Sequence, residues 1–262
     1  MLSRHMKFHK YDALGNDFIL IDTREQVFVP DVQIIKNLCD RKIGIGADGV
    51  LVVQKHRSSN FKVSIFNADG SNGGFSGNGS RCVADYLLSQ VSGEEISFMM
   101  GINSIKAWRS GDCIETLIEI VPSVSGEKSI NGFQGFFIDI GNPHLIFFDN
   151  AIEDFETLAI MAQSAVEGGC NVEHVTALSD KNHTYGMKVY ERGVGITKSC
   201  GSAVCAITYK LFISETIKTD EKIRITMPGG TLMSWVRSST EIVLSGTCQR
   251  TFGLGLQVFD RP

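Results

Sequence analysis

The stretch GGFSGNGSRC, residues 73–82, contains four glycines, one asparagine and two serines in ten positions, and it continues into VADYLLSQV, which has helical spacing. Glycine adopts backbone conformations that are closed to other residues, so this stretch predicts a tight turn or a close approach of the backbone to a ligand. The first N–H groups of the following helix have no partner within the helix. We therefore predict that a carboxylate can bind where this helix begins.

A similar stretch lies in the second half of the chain. SGNGSRC from Ser76 precedes one helix, and CGSAVC from Cys200 precedes another, 124 residues further on. GNDFILID from Gly15 is likewise echoed by GNPHLIFFD from Gly141, 126 residues further on. Two matches at nearly one offset indicate a duplicated domain. A pseudo-twofold duplication would let two helix N-termini hold one carboxylate, with Ser76 and Cys200 on opposite sides of the neighbouring carbon.

This arrangement suggests a reaction. A thiol beside a helix N-terminus is expected to have a lowered pKa and to supply a reactive thiolate. Two acid/base groups on opposite sides of an α-carbon can invert it, because one removes a proton and the other delivers one to the opposite face. A second interpretation, two glycine-rich turns that cap two core helices, stays open at this point.

Composition limits the partners. The chain has 262 residues, 43% of them hydrophobic, and a net charge of −4, so it lacks the basic surface that nucleic-acid binding needs. No apolar run reaches the ~18 residues of a membrane span, and MLSRHMKFHK has no signal-peptide core. Seven cysteines at irregular spacing indicate reduced thiols. We expect a cytoplasmic protein that binds a small molecule, with no metal, nucleic acid or membrane partner.

The hydrophobic pattern predicts short strands interleaved with four helices. Helical spacing covers residues 31–40, 78–89, 154–169 and 201–214. Apolar, β-branched runs that predict strands include 17–22, 50–54, 62–67, 95–100 and 115–120. Few connections are long enough for repeated crossovers, so we predict an α+β fold with much antiparallel pairing.

Seven motifs, read in order, resemble those of the diaminopimelate epimerase family, whose members interconvert LL- and meso-diaminopimelate without a cofactor. The motifs are KYDALGNDFILID, GIGADGVL, FNADGS followed by GNGSRC, GNPHLI, NVEHV, YERGVG and SCGSAVCA. The resemblance extends from about residue 7 to residue 259. It implies two similar mixed α/β domains with the active site in the cleft between them. The first would cover 1–120, completed by a strand at 250–262, and the second 121–249.

The resemblance also implies residue roles. Cys200 matches one of two catalytic cysteines and Glu191 its carboxylate partner, while His144 matches the partner of the other thiol. The helix-end residues that hold the α-carboxylate match Gly77, Asn78, Gly201 and Ser202. The polar residues that line the substrate pocket match Asn16, Asn67, Asn142, Asn171 and Arg192. A planar guanidinium suits a carboxylate, so Arg192 is expected to pair with the distal one.

Ser76 departs from the family pattern, which has its other catalytic cysteine at this position. A serine hydroxyl is far less acidic than a thiol, and it is a weak acid/base unless strongly activated. Three explanations stay open: a cysteine replaced at this one position, a natural relative with lost or changed activity, and a slow serine enzyme. The retained motif residues favour the first. At Ile196 the family pattern has a glutamate, whose loss can alter the thiol pKa at Cys200.

We therefore predict an isomerase: an epimerase independent of pyridoxal phosphate that interconverts LL- and meso-diaminopimelate by two-base proton transfer, in lysine and peptidoglycan precursor biosynthesis. Ser76 is expected to impair its turnover. The alternatives are a racemase of another amino acid on the same fold and an inactive relative that binds an amino acid. No cofactor is expected. The oligomeric state stays open, with a homodimer as one candidate.

Overall fold

The computed structural model describes residues 4–56, 61–179 and 182–258. The chain divides into an N-terminal unit, Met1–Ile114 with Thr247–Pro262, and a C-terminal unit, Glu115–Gly246. The division expected from the sequence has its boundaries after residues 120 and 249, a few residues later along the chain. Each unit has its own strands, helices and apolar core.

The N-terminal unit alternates antiparallel and parallel strand pairs. Its elements in the first half of the chain are β1 (Arg4–Ala13), β2 (Asn16–Asp22), α1 (Val32–Cys39), β3 (Gly49–Lys55), β4 (Phe61–Asn67), α2 (Gly77–Leu88), β5 (Glu95–Met100) and β6 (Asn103–Ser110). The pairs β1–β2, β3–β4 and β5–β6 are antiparallel. The pairs β2–β3 and β4–β5 are parallel, and they are connected through α1 and α2, because parallel strands need a crossover.

The C-terminal unit repeats this order. Its elements are β7 (Cys113–Glu119), β8 (Ser123–Ile130), β9 (Phe133–Asp139), β10 (Pro143–Phe147), α3 (Phe155–Ala165), β11 (Asn171–Ser179), β12 (Thr184–Glu191), β13 (Gly195–Thr197), α4 (Gly201–Ile213), β14 (Ile223–Met227), β15 (Gly230–Ser238) and β16 (Glu241–Gly246). The pairs β9–β10, β11–β12 and β14–β15 are antiparallel. The pairs β10–β11 and β12–β14 are parallel, around α3 and α4.

The repeat extends to the outer strands. The last strand, β17 (Gln249–Val258), pairs antiparallel with β1, as β8 pairs antiparallel with β9. The chain therefore returns to its N-terminal unit at the end. With the same series of pairings and helices in both units, the predicted α+β fold of two similar domains is confirmed.

Apolar cores fix the strands that carry the polar motifs. In the N-terminal unit, α1 packs on β1–β3 through buried side chains that include Phe8, Ile19, Ile35 and Val50. In the C-terminal unit, α3 packs on β10 and β11 through Leu145, Phe147, Leu158 and Val172, among others. Burying a side chain of this kind stabilises the fold by about 1.5–3 kcal/mol. No helix in the described part of the chain is both long and apolar enough to cross a membrane.

Helix α3 is shorter than the sequence predicts. The helical spacing over 154–169 predicts a helix of that length, but α3 ends at Ala165 and Val166 is extended. Gly168 and Gly169 follow with φ of 75° and 70°, a region that glycine enters at little cost. The prediction is therefore wrong for the last turn, because the chain bends sharply at the two glycines.

Candidate active site

Helices α2 and α4 begin in the same way. The residue before α2 is Ser76, with φ −141° and ψ 118°, and the residue before α4 is Cys200, with φ −139° and ψ 112°. Neither helix has an acidic residue in its first turn, so no side-chain charge there opposes an anion at the helix N–H groups. The first helical residues, all buried, are Gly77 and Asn78 in α2 and Gly201 and Ser202 in α4.

The two side chains before these helices have different partners. Ser76 Oγ accepts a hydrogen bond from the backbone N–H of Gly79 at 3.0 Å, so the hydroxyl caps its own helix. Within the described residues, the Cys200 side chain makes no capping bond, and its Sγ lies 3.3 Å from Ser202 Oγ. The Cys200 thiol is also influenced by hydrogen bonding to Ser202 and to the Ala203 backbone, which acts to lower its pKa.

The environment of Cys200 favours the protonated thiol. Burial raises the pKa of this thiol well above its usual value, and the nearby carboxylates of Glu191 and Glu173 raise it further. The lowered pKa predicted from the position beside a helix N-terminus is wrong, because burial and two carboxylates outweigh the helix. This environment therefore favours the neutral thiol of Cys200 over the thiolate.

Glu191 and Arg192 occupy the end of β12 and the turn that follows it. The Thr197 hydroxyl donates a hydrogen bond to Glu191 Oε1 at 2.6 Å, across the β12–β13 pair. Arg192 is exposed, its backbone N–H donates to Asn171 Oδ1 at 2.9 Å, and its guanidinium Nη1 donates to the Gly168 carbonyl at 2.9 Å. The turn that ends α3 early therefore supplies a carbonyl that holds the Arg192 side chain.

His144 is paired with a carboxylate that the sequence interpretation did not include. His144 Nδ1 lies 2.7 Å from Glu173 Oε1, and both side chains are fully buried. Burial raises the pKa of Glu173, and the neighbouring His144 opposes that shift. Within the described residues, His144 Nε2, Glu173 Oε2 and Asn171 Nδ2 are buried without a hydrogen-bond partner.

A chain of hydrogen bonds leads from the start of β2 to the start of α2. Asn16 Nδ2 donates to Asp48 Oδ2 at 2.9 Å, and Asn16 Oδ1 accepts from Asn78 Nδ2 at 3.2 Å. The fully buried Arg81 donates to Asn78 Oδ1 at 2.8 Å and to the Gly77 carbonyl at 3.0 Å. Asn16 and Asn78 are therefore brought together, with a guanidinium in the first turn of α2.

This chain is anchored by ion pairs. Arg41 Nη2 contacts Asp17 Oδ1 at 2.7 Å and Asp48 Oδ1 at 2.8 Å, and the buried Lys10 contacts Asp17 Oδ2 at 2.6 Å. Desolvation acts to raise the pKa of Asp17, but the hydrogen bonds and charges of Arg41 and Lys10 outweigh it and hold that pKa far below its usual range. Asp17 therefore stays ionised and fixes the start of β2.

Asn67 and Asn142 take part in local structure. Asn67 is exposed at the end of β4 and its Nδ2 donates to Ser71 Oγ at 2.9 Å. Asn142 precedes β10, and its carbonyl accepts from the Ile140 N–H at 3.3 Å. Both lie at turns, where asparagine satisfies backbone groups well, so their places in a substrate pocket stay predictions.

Three residues with roles in these networks were missed from the sequence: Glu173, Asp48 and Arg81. Each stands inside a motif that the sequence interpretation used, NVEHV, GIGADGVL or SGNGSRC. For Glu173 and Arg81 the signal available was a charged residue among residues expected to be buried, since buried charges need partners, whereas Asp48 is exposed. Among the described residues, no cluster of three or more His, Cys, Asp or Glu side chains is arranged to hold a metal ion.

Sequence comparison places most of the chain beside one family. A family model described as diaminopimelate epimerase matches residues 8–103 and 136–251. A diaminopimelate epimerase of Pelagibacter ubique is 32% identical over 259 residues, covering 89% of this chain and 93% of that protein. One of Campylobacter jejuni subsp. doylei is 32% identical over 252 residues, covering 94% of this chain and 97% of that protein.

Solved structures share the fold at low sequence identity. A hydroxyproline epimerase from Agrobacterium vitis with bound trans-4-OH-L-proline has a TM-score of 0.75 at 12% identity, over 98% of this chain and 94% of that one. A methylitaconate-delta-isomerase has a TM-score of 0.63 at 12% identity, over 98% of this chain and 96% of that one. At such identities the likeness shows a shared fold.

Proposed function

This chain belongs to the diaminopimelate epimerase family, and we propose that it interconverts LL- and meso-diaminopimelate by proton transfer at the α-carbon without pyridoxal phosphate. It is an isomerase of the epimerase class. The observation that carries the proposal is the equivalent start of α2 and α4, with Ser76 and Cys200 in the same backbone conformation. A two-base inversion needs two such groups around one fixed carboxylate.

The helix N-termini supply the carboxylate site in this proposal. The N–H groups after Ser76 and Cys200 and the positive ends of the two helix dipoles would hold the α-carboxylate. That carboxylate must accept electron density when the α-proton leaves, so the same N–H groups would stabilise the transition state. Asn16, Asn78 and Arg81, which are linked by hydrogen bonds, would keep the first turn of α2 in place.

Cys200 is the proposed acid in one direction. The base removes the α-proton, the C–H bond breaks, and its electron pair stays on the α-carbon. The S–H proton of Cys200 then forms the new C–H bond on the opposite face and leaves a thiolate. After the product leaves, a proton from water restores the thiol, with Glu191 as the proposed relay. Because burial and nearby carboxylates raise the pKa of Cys200, the proton is present when the step begins.

Ser76 is the proposed base in that direction, and a poor one. Its hydroxyl must lose its own proton, to His144 in this proposal, before the oxygen can accept the α-proton. The same hydroxyl also accepts the Gly79 N–H bond. The reverse reaction crosses the same barrier, so turnover is expected to be slow in both directions. A thiol at position 76 should raise it by about 10²–10⁴-fold.

The distal end of the substrate is assigned to Arg192 and the asparagines. A guanidinium has several N–H donors, and one of those of Arg192 is used by the Gly168 carbonyl. The others can pair with a second carboxylate, a group that diaminopimelate has and proline lacks. Asn67, Asn142 and Asn171 are the remaining proposed contacts to the amino-acid groups.

One observation favours a second candidate, an amino-acid-binding relative without turnover. The Ser76 hydroxyl is used as a helix cap, which is a structural task that needs no acid/base chemistry. A binding protein would keep the carboxylate site and lose inversion. A racemase of another amino acid would keep inversion and lose the need for Arg192.

Chiral chromatography of the reaction products separates these candidates. The chain should convert LL- to meso-diaminopimelate slowly, and Ser76→Cys should be much faster. Ser89→Cys, at the other end of α2, is the matched control and should change nothing. Adding Cys200→Ala to Ser76→Cys should abolish inversion, whereas adding Cys113→Ala should not. Inversion of proline or hydroxyproline in preference to diaminopimelate would overturn the proposed substrate.

A further inference from the structure

The buried pair of His144 and Glu173 is the feature from which a further role follows. We propose that Glu173 is a positioning residue for His144, whose carboxylate keeps a proton on Nδ1 and so makes Nε2 the atom that exchanges a proton with the group at position 76. This inference rests on the proposed function, in which His144 serves that group. Glu173 itself would not touch the substrate.

The sheet brings the two side chains to one face. In the parallel register of β10 and β11, His144 lies opposite Asn171, and Ile146 lies opposite Glu173. Alternate residues of a strand point to the same face, so His144, Asn171 and Glu173 share a face. The residues of the other face pack into the apolar core beside α3: Leu145, Phe147 and Val172.

The geometry limits which nitrogen carries the proton. Nδ1 lies 2.7 Å from Glu173 Oε1, which is a short distance for a nitrogen–oxygen hydrogen bond and is typical of an ionised partner. In the proposed state Glu173 is ionised, and because an ionised carboxylate only accepts hydrogen bonds, Nδ1 is the donor. Nε2 is then left with a lone pair or an exchangeable proton, and it has no hydrogen-bond partner among the described residues.

Packing alone gives a weak reason for this pair. Both side chains are fully buried, and burying a carboxylate is costly even when it is paired, so an apolar pair of similar volume is often at least as stable. Glu173 Oε2 makes no hydrogen bond within the described residues, which leaves part of that cost uncompensated. A fixed imidazole tautomer is what the pair provides and apolar residues cannot.

Glu173 also affects Cys200, the proposed acid on the other face of the α-carbon. Its charge raises the pKa of Cys200, beside the larger effects of burial and Glu191, and it raises the pKa of Cys170. An ionised Glu173 therefore favours a protonated Cys200 and a proton-accepting Nε2 on His144 at the same time. Two-base inversion needs this combination of one acid and one base before each turnover.

The first test is the protonation of His144 by ¹⁵N NMR at neutral pH, on the full chain with ¹⁵N-labelled histidine. The six histidines are assigned with the help of His144→Gln. We expect Nδ1 of His144 to be protonated. An unprotonated Nδ1 would mean that Glu173 holds the proton and donates it, and would overturn the proposal. This readout needs no enzymatic activity.

The second test uses variants in the Ser76→Cys background. Glu173→Gln should redistribute the His144 tautomers and lower kcat by about 10²–10³-fold with little change in KM. Glu173→Asp keeps a carboxylate and should retain the Nδ1 proton and recover part of kcat. The matched control is Glu221→Gln, which removes the exposed carboxylate 2.9 Å from His183 Nε2 and should change neither readout.

The outcomes separate this inference from the proposed function. Unchanged tautomers and unchanged kcat in Glu173→Gln would overturn the role of Glu173 while the epimerase stands. If the folded Ser76→Cys protein lacks activity on diaminopimelate, the proposed substrate fails, and the NMR result still decides where the proton lies. If Glu173→Gln does not fold, Glu173→Asp decides the question. A kcat equal to that of the Ser76→Cys parent, with the Nδ1 proton of His144 lost, would overturn the proposal.

Discussion

Arg81→Met tests how the first turn of α2 is held. Arg81 is fully buried, and its guanidinium donates to Asn78 Oδ1 at 2.8 Å and to the Gly77 carbonyl at 3.0 Å. A hydrogen bond from a charged group contributes about 1.5–3 kcal/mol, so the two contribute about 3–6 kcal/mol. Methionine fills a similar length and spares the cost of burying a charge. We expect a net loss of about 2–4 kcal/mol in the free energy of unfolding.

Calorimetry of thermal unfolding measures this loss against a matched control, Arg109→Met. Arg109 also contacts α2, with Nη2 2.7 Å from Asp85 Oδ1, but its side chain is 50% exposed, so its removal should cost at most about 1 kcal/mol. At about 2–4 °C per kcal/mol, Arg81→Met should lower Tm by about 4–16 °C and the control by at most about 4 °C. Equal shifts for the two variants would refute the reasoning.

Three further predictions concern ionisable groups: two thiols and one carboxylate. Burial raises the pKa of Cys170 to about 12, so the protonated thiol stabilises the fold fully below its unfolded pKa of about 8.5, and this contribution is lost as pH rises. The free energy of unfolding in urea should therefore fall less between neutral and alkaline pH in Cys170→Ala than in the parent protein. Iodoacetamide should alkylate Cys200 slowly at neutral pH, and Glu191→Gln should speed the reaction, whereas an unchanged rate would contradict the assigned cause. Asp17→Asn leaves the buried Lys10 without the carboxylate 2.6 Å away, and it should lower the free energy of unfolding in urea by about 3–5 kcal/mol. A loss of at most about 1 kcal/mol, as for an exposed ion pair, would contradict the role given to Asp17.

Elements with a strong local pattern could be predicted from the sequence. Apolar runs mark β2 to β5 closely, and Asp31 marks the start of α1, where its side chain accepts from the N–H groups of Gln33 and Ile34. The echo between the two halves predicts the shared order of pairings around α2 and α4. These features depend on residues close in sequence, or on a pattern repeated within the chain.

Features that depend on tertiary partners could not be predicted. Strand β11 was missed because NVEHVTALS mixes charged and apolar residues, and Glu173 is buried there because His144 on the neighbouring strand pairs with it. The partner of the buried Arg81, Asn78 Oδ1, is identified only when the structure places the two side chains together. The pKa of Cys200 has the opposite shift from the predicted one, because burial and two glutamates that are close in space but outside the motif raise it. Neither effect is visible in CGSAVC.

Deuterium incorporation at the α-carbon of LL-diaminopimelate in heavy water tests the central claim most directly. The chain as it stands, Ser76→Cys and the control Ser89→Cys would be compared by NMR and chiral chromatography. The account predicts rapid exchange and accumulation of meso-diaminopimelate with Ser76→Cys, and much slower exchange with the other two. Equal rates for Ser76 and Cys at this position, or no exchange by either folded protein, would contradict it.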